Sequence, residues 1–219
     1  MKKKEILFLC IFVVVAVLFT VLVKYVDVQK IGPNGSAVGF SAINNFVHEL
    51  TSYRETLYKL TKYIGYLPII SLPIYAFLGL MELVKGKSIK KVHKELIILG
   101  IFYAIVLAIY VFFEKVVINY RPVLMEGELE ASYPSSHTLM AICFCSFAVI
   151  INNKLYKNKY TKIINYGMVI FLVGIVIGRL LSGVHWFTDI IGGILIAIPI
   201  VYAFYLLVNK KKKRKRKED

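Results

Sequence analysis

Residues 187–208 read FTDIIGGILIAIPIVYAFYLLV, a run of 22 residues in which the only charged side chain is Asp189. A helix of roughly 20 apolar residues is long enough to cross the hydrocarbon core of a bilayer. Five more apolar runs occur near 5–26, 63–84, 96–114, 137–152 and 163–181. The sequence therefore predicts an all-α, polytopic membrane protein with six transmembrane helices in one bundle.

The composition agrees with this fold class. Of the 219 residues, 58% are hydrophobic, which is too apolar for an ordinary soluble domain. The formal net charge of +15 could indicate a nucleic-acid partner, but the basic run 210–217 and the two acids after it supply +6 of that charge. Membrane topology explains such a tail better, so we expect no nucleic-acid partner.

The distribution of Lys and Arg predicts the orientation of the helices. Twenty of the 28 basic residues fall in the N-terminus, the segments 85–95 and 153–162, and the C-terminal tail, which all lie on one side of the six helices. By the positive-inside bias this side is cytoplasmic. We therefore expect a multi-pass cell-membrane protein with both termini cytoplasmic, a six-helix domain over 1–209 and a basic cytoplasmic tail over 210–219.

Two features are expected near the N-terminus. The run 5–26 follows three lysines, but no small-x-small cleavage site follows it, so we interpret it as an uncleaved first helix. The stretch 27–62 then lies outside the membrane. Its apolar residues between 38 and 47 are spaced for an amphipathic helix at the membrane interface.

Three short polar clusters interrupt the apolar runs, over 115–122, 134–137 and 179–189, and the topology places all of them at the external face. Ionisable groups near the ends of membrane helices are costly unless they have a function or anchor headgroups. Together the clusters supply cations, bases and a carboxylate, which suit a phosphate group: Lys115, Arg121, Arg179, His137, His185 and Asp189.

His185 and Asp189 are four residues apart at the start of the last helix, so both side chains project from one face. The carboxylate can then accept the Nδ1 hydrogen of the imidazole, which leaves Nε2 free to act as a nucleophile. An ordinary helix cap would explain the pair equally well. The neighbouring guanidinium groups of Arg121 and Arg179 favour catalysis, because such groups bind the oxygens of a phosphoryl group in transfer.

The segment Pro134-Ser135-Ser136-His137 predicts a turn that opens the fourth membrane helix. The first N–H groups of a helix lack intrahelical partners, and the helix dipole favours an anion there. A phosphate can therefore bind at this end, with help from the Ser135 hydroxyl. His137, in the first turn, would lie close enough to protonate the leaving group as a general acid.

These clusters resemble the motifs of the type 2 phosphatidic acid phosphatases, a superfamily that includes lipid phosphate phosphatases, undecaprenyl diphosphate phosphatases, phosphatidylglycerophosphate phosphatases and vanadium-dependent haloperoxidases. The family motifs are Lys, six residues, Arg-Pro; then Pro-Ser-Gly-His; then Ser-Arg, five residues, His, three residues, Asp. The resemblance spans 115–189 and implies a membrane phosphatase of lipid phosphates or polyprenyl diphosphates that needs no metal or other cofactor. It implies a phosphohistidine on His185, leaving-group protonation by His137, orientation by Asp189, and substrate binding by Lys115, Arg121, Ser135, Ser136 and Arg179.

The chain departs from the family pattern at three positions. Gly178 stands in place of the serine of the third motif, and Ser136 in place of the glycine of the second. In the first motif only five residues separate Lys115 from Arg121, and the six-residue spacing places Glu114 at the lysine position. Lys115 is therefore the least secure of the expected phosphate ligands.

Two other functions are compatible with parts of this pattern. A non-enzymatic transporter or binder of phosphorylated lipid headgroups would use the cations, and its histidines would be incidental. A vanadate-dependent haloperoxidase would use the same constellation, but those relatives are not expected to be mostly membrane-embedded. Besides the lipid phosphate or diphosphate substrate, membrane lipids are the expected partners.

Overall fold

The computed structural model describes residues 2–210, which form eight α-helices. Short 3-10 turns precede α2, α4 and α5. The helices are α1 (Lys3–Tyr25), α2 (Ser41–Thr51), α3 (Glu55–Ile64), α4 (Ser71–Gly86), α5 (Lys94–Lys115), α6 (Ser136–Leu155), α7 (Lys159–Leu181) and α8 (Phe187–Asn209).

Six segments within residues 2–210 are long and apolar enough to cross a membrane, which confirms the predicted six-helix fold class. Five of them are the single helices α1, α5, α6, α7 and α8. The sixth is the 32-residue segment Glu55–Gly86, in which α3 and α4 are joined through a 3-10 turn at Leu67–Ile70. Of the predicted tail 210–219, only Lys210 lies within the described residues.

α6 is the central helix of the bundle and packs against both α7 and α8. Its inward side chains include Phe147, which meets Phe102 of α5 and Phe204 of α8 at ring-centroid distances of 5.9 and 4.5 Å. α1 packs against α8 and is mostly exposed. Exposed apolar side chains on a membrane helix face lipid, so the fold encloses its core around α6.

The chain from 27 to 54 departs from the prediction of one interfacial helix. Two helices form here, and a sharp turn separates α2 from α3. α3 begins at Glu55, inside the stretch that was expected to be an external loop. The turn contacts the α7–α8 connection, where the Arg54 N–H donates to the Ser182 carbonyl at 3.0 Å. Gly183 has a φ of +64° there and lies directly against the Ser52 backbone, so a side chain would not fit.

The loop 116–135 between α5 and α6 is held over the same end of the bundle. The Arg121 N–H donates to the Glu130 carbonyl at 3.0 Å, and the Ser132 N–H donates to the Asn119 carbonyl at 2.9 Å. At the end of the loop the Ser135 N–H donates to the Asp189 carbonyl at 3.0 Å. These bonds place the second polar cluster directly beside the start of α8.

Candidate active site

The three polar clusters of the sequence meet at one end of the bundle. This end holds the C-terminal ends of α5 and α7 and the N-terminal ends of α6 and α8, together with the loop 116–135. His185 is 4% exposed, and Arg179 and Asp189 are 0% exposed. Burying an ionisable group is costly unless specific partners compensate for its lost hydration. The contacts of these three residues therefore define the site.

His185 and Asp189 are linked through a third side chain, the Ser132 hydroxyl. Ser132 Oγ lies 3.1 Å from Nδ1 of His185 and donates a hydrogen bond to Oδ2 of Asp189. The direct distance from Nδ1 to Oδ2 is 3.7 Å, which is too long for a hydrogen bond. The predicted direct contact therefore does not form, and a serine completes it.

The Asp189 carboxylate does not reach Nδ1 of His185, because it also caps the N-terminus of α8. Oδ2 of Asp189 accepts a hydrogen bond from the Trp186 N–H at 2.9 Å. This bond satisfies one of the N-terminal donors of α8 and holds the carboxylate near the helix axis. The helix-cap interpretation and the histidine-orienting interpretation thus apply to the same oxygen.

Arg179 contacts the other ring nitrogen of the histidine. Its Nη2 lies 3.0 Å from Nε2 of His185. A guanidinium group only donates, so Nε2 is the acceptor and the ring proton lies on Nδ1, from which it is donated to Ser132 Oγ. Burial, with the positive charges of Arg121 and Arg179, holds the pKa of His185 well below its usual range. The imidazole is therefore neutral, with its lone pair on Nε2.

His137 lies in the first turn of α6 and faces α3. Its Nε2 is 3.2 Å from the Lys62 carbonyl, and its ring centroid is 5.3 Å from that of Tyr66. A carbonyl accepts, so Nε2 carries a proton, while the buried Nδ1 has no hydrogen-bond partner among the described residues. This ring is available for proton exchange at Nδ1.

Arg121 approaches the site from the loop 116–135. Its Nε is 3.0 Å from Oε2 of Glu130, but the two groups are not aligned for a hydrogen bond. The contact is therefore an ion pair in which neither Nε nor Nη1 of the arginine is satisfied. Arg121 also lines a cleft with Ser132, Ser136 and His185.

Several buried donors at this end have no partner within residues 2–210. In native proteins such groups are rare, and each calls for an explanation. Here these donors belong partly to two positively charged arginines near His185. Such a group of donors binds an anion that has several oxygens. The unpartnered donors include Nε and Nη1 of Arg121, Nε of Arg179 and Oγ of Ser135, and the acceptor Nδ1 of His137 has no partner either. Among the described residues, no three His, Cys, Asp or Glu side chains cluster as metal ligands.

Residues 117–213 match the sequence model of the PAP2 superfamily. This match covers 97 of the 219 residues and includes the second and third polar clusters. Its fold is similar to the crystal structure of a transmembrane PAP2 type phosphatidylglycerolphosphate phosphatase from Bacillus subtilis, with a TM-score of 0.64 and 16% sequence identity over 94% of this chain and 98% of that chain. No curated protein matches the chain.

The structure brings together most, but not all, of the side chains predicted for the site. Lys115 is exposed at the end of α5, whereas the preceding residue, Glu114, lines the cleft with Arg121. The one-residue difference in the first motif rotates the lysine by about 100° around the helix. An acid thus occupies the position at which the family pattern has a cation.

Three side chains of the site were missed by sequence analysis. Ser132 links the histidine to the carboxylate from the loop before the second motif. Thr61 and Tyr58 of α3 contact Arg179, with Thr61 Oγ1 at 3.4 Å from Nη1 and the Tyr58 ring centroid at 5.4 Å from Cζ. These contacts join residues 53 to 121 positions apart, and such pairs leave no periodic signal in a single sequence.

Proposed function

We propose that this protein is a membrane lipid phosphatase that hydrolyses a lipid phosphate or polyprenyl diphosphate through a phosphohistidine on His185, without a metal cofactor. The observation that carries the proposal is the state of the His185 ring. Its Nδ1 proton is directed through Ser132 to Asp189, and its Nε2 lone pair lies beside the Arg179 guanidinium. A buried, neutral, oriented imidazole beside guanidinium groups that have unsatisfied N–H donors is an activated nucleophile for a phosphoryl group.

In the first step Nε2 of His185 attacks phosphorus, and the bond from phosphorus to the leaving oxygen breaks as the N–P bond forms. The ring then carries a positive charge, which Ser132 and the Asp189 carboxylate stabilise through Nδ1–H. Arg121 and Arg179 bind the non-bridging oxygens, and the Ser135 hydroxyl and the first N–H groups of α6, including that of Ser136, bind another. Arg179 Nη2 must turn from Nε2 to a phosphate oxygen as substrate binds.

The leaving oxygen needs a proton. His137 enters this step as the imidazolium and supplies the proton from Nδ1, while its Nε2–H stays bound to the Lys62 carbonyl. In the second step the neutral Nδ1 takes a proton from water, water oxygen attacks phosphorus, and the N–P bond breaks. Inorganic phosphate leaves and the His185 lone pair is restored. Loss of a general acid typically costs roughly 10²- to 10⁴-fold in rate, which is the effect expected for His137→Ala.

The site is proposed to face away from the cytoplasm. The lysine-rich ends of the helices, at Lys3, Gly86, Lys94, Lys159 and Asn209, are opposite to the ends that carry the site. Positive charge is retained on the cytoplasmic side. This orientation places both termini in the cytoplasm and gives the site access to lipid phosphates of the outer leaflet.

Phosphate release from lipids by purified protein tests this proposal. We expect release from at least one of farnesyl diphosphate, phosphatidic acid and phosphatidylglycerolphosphate in detergent without added metal and with a chelator present. His185→Ala should abolish it, while His93→Ala should not, because His93 pairs with Glu82 at the opposite end of the bundle. Binding of these lipids without phosphate release would instead support a transporter or binding protein.

A further inference from the structure

α3 lies outside the three motifs, yet it forms one wall of the site. The Thr61 hydroxyl and the Tyr58 ring contact Arg179, and the Lys62 carbonyl accepts from His137. α3 approaches α7 this closely because residue 178 is glycine, where an added Cβ would lie 2.7 Å from Cγ2 of Thr61. The departure from the family's serine therefore coincides with the contact that brings α3 to the site.

The ammonium group of Lys62 lies beside Tyr58, which is one of the α3 residues that contact Arg179. Its Nζ lies 5.7 Å from the centroid of the Tyr58 ring, the same ring that Arg179 contacts at 5.4 Å. The backbone of Lys62 also lies beside His137, whose Nε2 is 3.2 Å from the Lys62 carbonyl. Among residues 2–210, no carboxylate forms an ion pair with Lys62, whereas Lys59 on the same helix pairs with Glu55 at 2.7 Å.

The charges around His185 and its neighbours Arg121, Arg179 and His137 therefore differ between the α5 side and the α3 side. On the α5 side Glu114 takes the position of the motif lysine and lines the cleft, and Glu130 lies against Arg121. On the α3 side the cation of Lys62 is available. In the proposed reaction, Arg121, Arg179 and the N-terminus of α6 bind one phosphoryl group at His185. A second phosphoryl group would be repelled from the acidic side and attracted to the basic side.

We propose that Lys62 is a substrate-binding residue that holds the second phosphoryl group of a lipid diphosphate. This inference rests on the proposed phosphatase function. It makes a diphosphate the preferred substrate class, since a monophosphate ester occupies only the pocket around His185. Tyr58 separates the two phosphate positions and supports both cations through its ring face.

The experiment compares farnesyl diphosphate with farnesyl phosphate, which share one prenyl chain. The variants are Lys62→Gln, the conservative Lys62→Arg, and the control Lys59→Gln, which removes an exposed lysine of α3 that is already paired with Glu55. We expect Lys62→Gln to raise KM for the diphosphate about tenfold, the usual order for one charge-assisted hydrogen bond, with a change below about threefold for the monophosphate. Lys62→Arg should retain most of the diphosphate affinity, and Lys59→Gln should behave as wild type.

Two results would overturn the assignment of Lys62. One is Lys62→Gln kinetics that match those of Lys59→Gln on both lipids, and the other is an equal loss on both lipids. Failure of the proposed function looks different, because the wild-type protein would then release no phosphate from either lipid. Thermal denaturation of all variants in detergent identifies any loss that comes from unfolding.

Discussion

The Ser132 hydroxyl lies 3.1 Å from Nδ1 of His185, and it is the group through which the histidine reaches its carboxylate. In this series of hydrogen bonds, the imidazole donates to the serine, and the serine donates to Asp189. Ser132 is 2% exposed, so bulk water does not compete for these hydrogen bonds. Ser132 therefore fixes the ring tautomer that the proposed nucleophile needs.

Removing this hydroxyl should slow catalysis while substrate binding is retained. For Ser132→Ala we expect kcat to fall roughly 10- to 100-fold, the range seen when outer partners of functional histidines are removed, with a much smaller change in KM. Ser71→Ala is a matched control, because it removes a buried hydroxyl that bonds Tyr103 within the bundle. Full activity of Ser132→Ala would show that His185 does not depend on the serine.

The pH dependence of the reaction should report the lowered pKa of His185. A nucleophilic imidazole is active when neutral, so activity is lost as the pH falls through its pKa. Because burial and the charges of Arg121 and Arg179 lower that pKa, the acid limb of kcat/KM that belongs to His185 should lie below about 6.5, the ordinary value. Measurement of kcat/KM between pH 4 and 8 locates the limb in the free enzyme.

Arg121 provides a second test of the same electrostatics. Its positive charge disfavours the imidazolium form, so Arg121→Gln should raise the pKa of His185 and move the acid limb to higher pH, in addition to lowering activity through lost phosphate binding. Lys59→Gln removes a charge that is paired at the exposed face of α3 and should leave the limb in place. An acid limb that does not move in Arg121→Gln would contradict the assignment of that limb to His185.

The sequence predicted what depends on composition and short-range spacing. Long apolar runs identified all six membrane-spanning segments, because lipid requires each span to satisfy its own backbone as a helix. α3 was assigned to an external loop, since Lys59, Thr61 and Lys62 interrupt its apolar residues and reduce its hydropathy. Its structure depends on packing against Gly178 of α7, a contact between distant parts of the chain.

The same distinction applies within the site. The spacing of His185 and Asp189 predicted that the two side chains lie together, and they are 3.7 Å apart, but it did not reveal that a serine lies between them. The two groups are separated because Asp189 also accepts a hydrogen bond from the Trp186 N–H. Ser132 lies between them only because the loop 116–135 folds over the end of the helix. At Lys115 the predicted contact does not form, because a shift of one residue along α5 turns the side chain out of the cleft.

Asp189 should be essential for rate rather than for substrate binding. Asn in its place has a similar size, but its amide group can donate to Ser132 and so oppose the required direction of the hydrogen bonds. By analogy with other histidine-orienting carboxylates, we expect Asp189→Asn to lower kcat roughly 10³- to 10⁴-fold with little change in KM. Steady-state kinetics on one lipid tests this, and activity within tenfold of wild type would exclude the orienting role.

Gly183 should limit the stability of the site, because it precedes His185 by two residues and contacts the α2–α3 turn. Its φ of +64° costs an alanine about 1 kcal/mol or more, and the new Cβ would also overlap the Ser52 backbone. Gly127 is a matched control, since its φ is +87° but nothing lies within 4 Å of an added Cβ. Gly183→Ala should therefore lower the Tm in detergent clearly more than Gly127→Ala and should also lose activity, since the displaced turn moves α3 away from Arg179. Equal Tm values for the two variants would mean that the turn adapts and that α3 does not depend on this close approach.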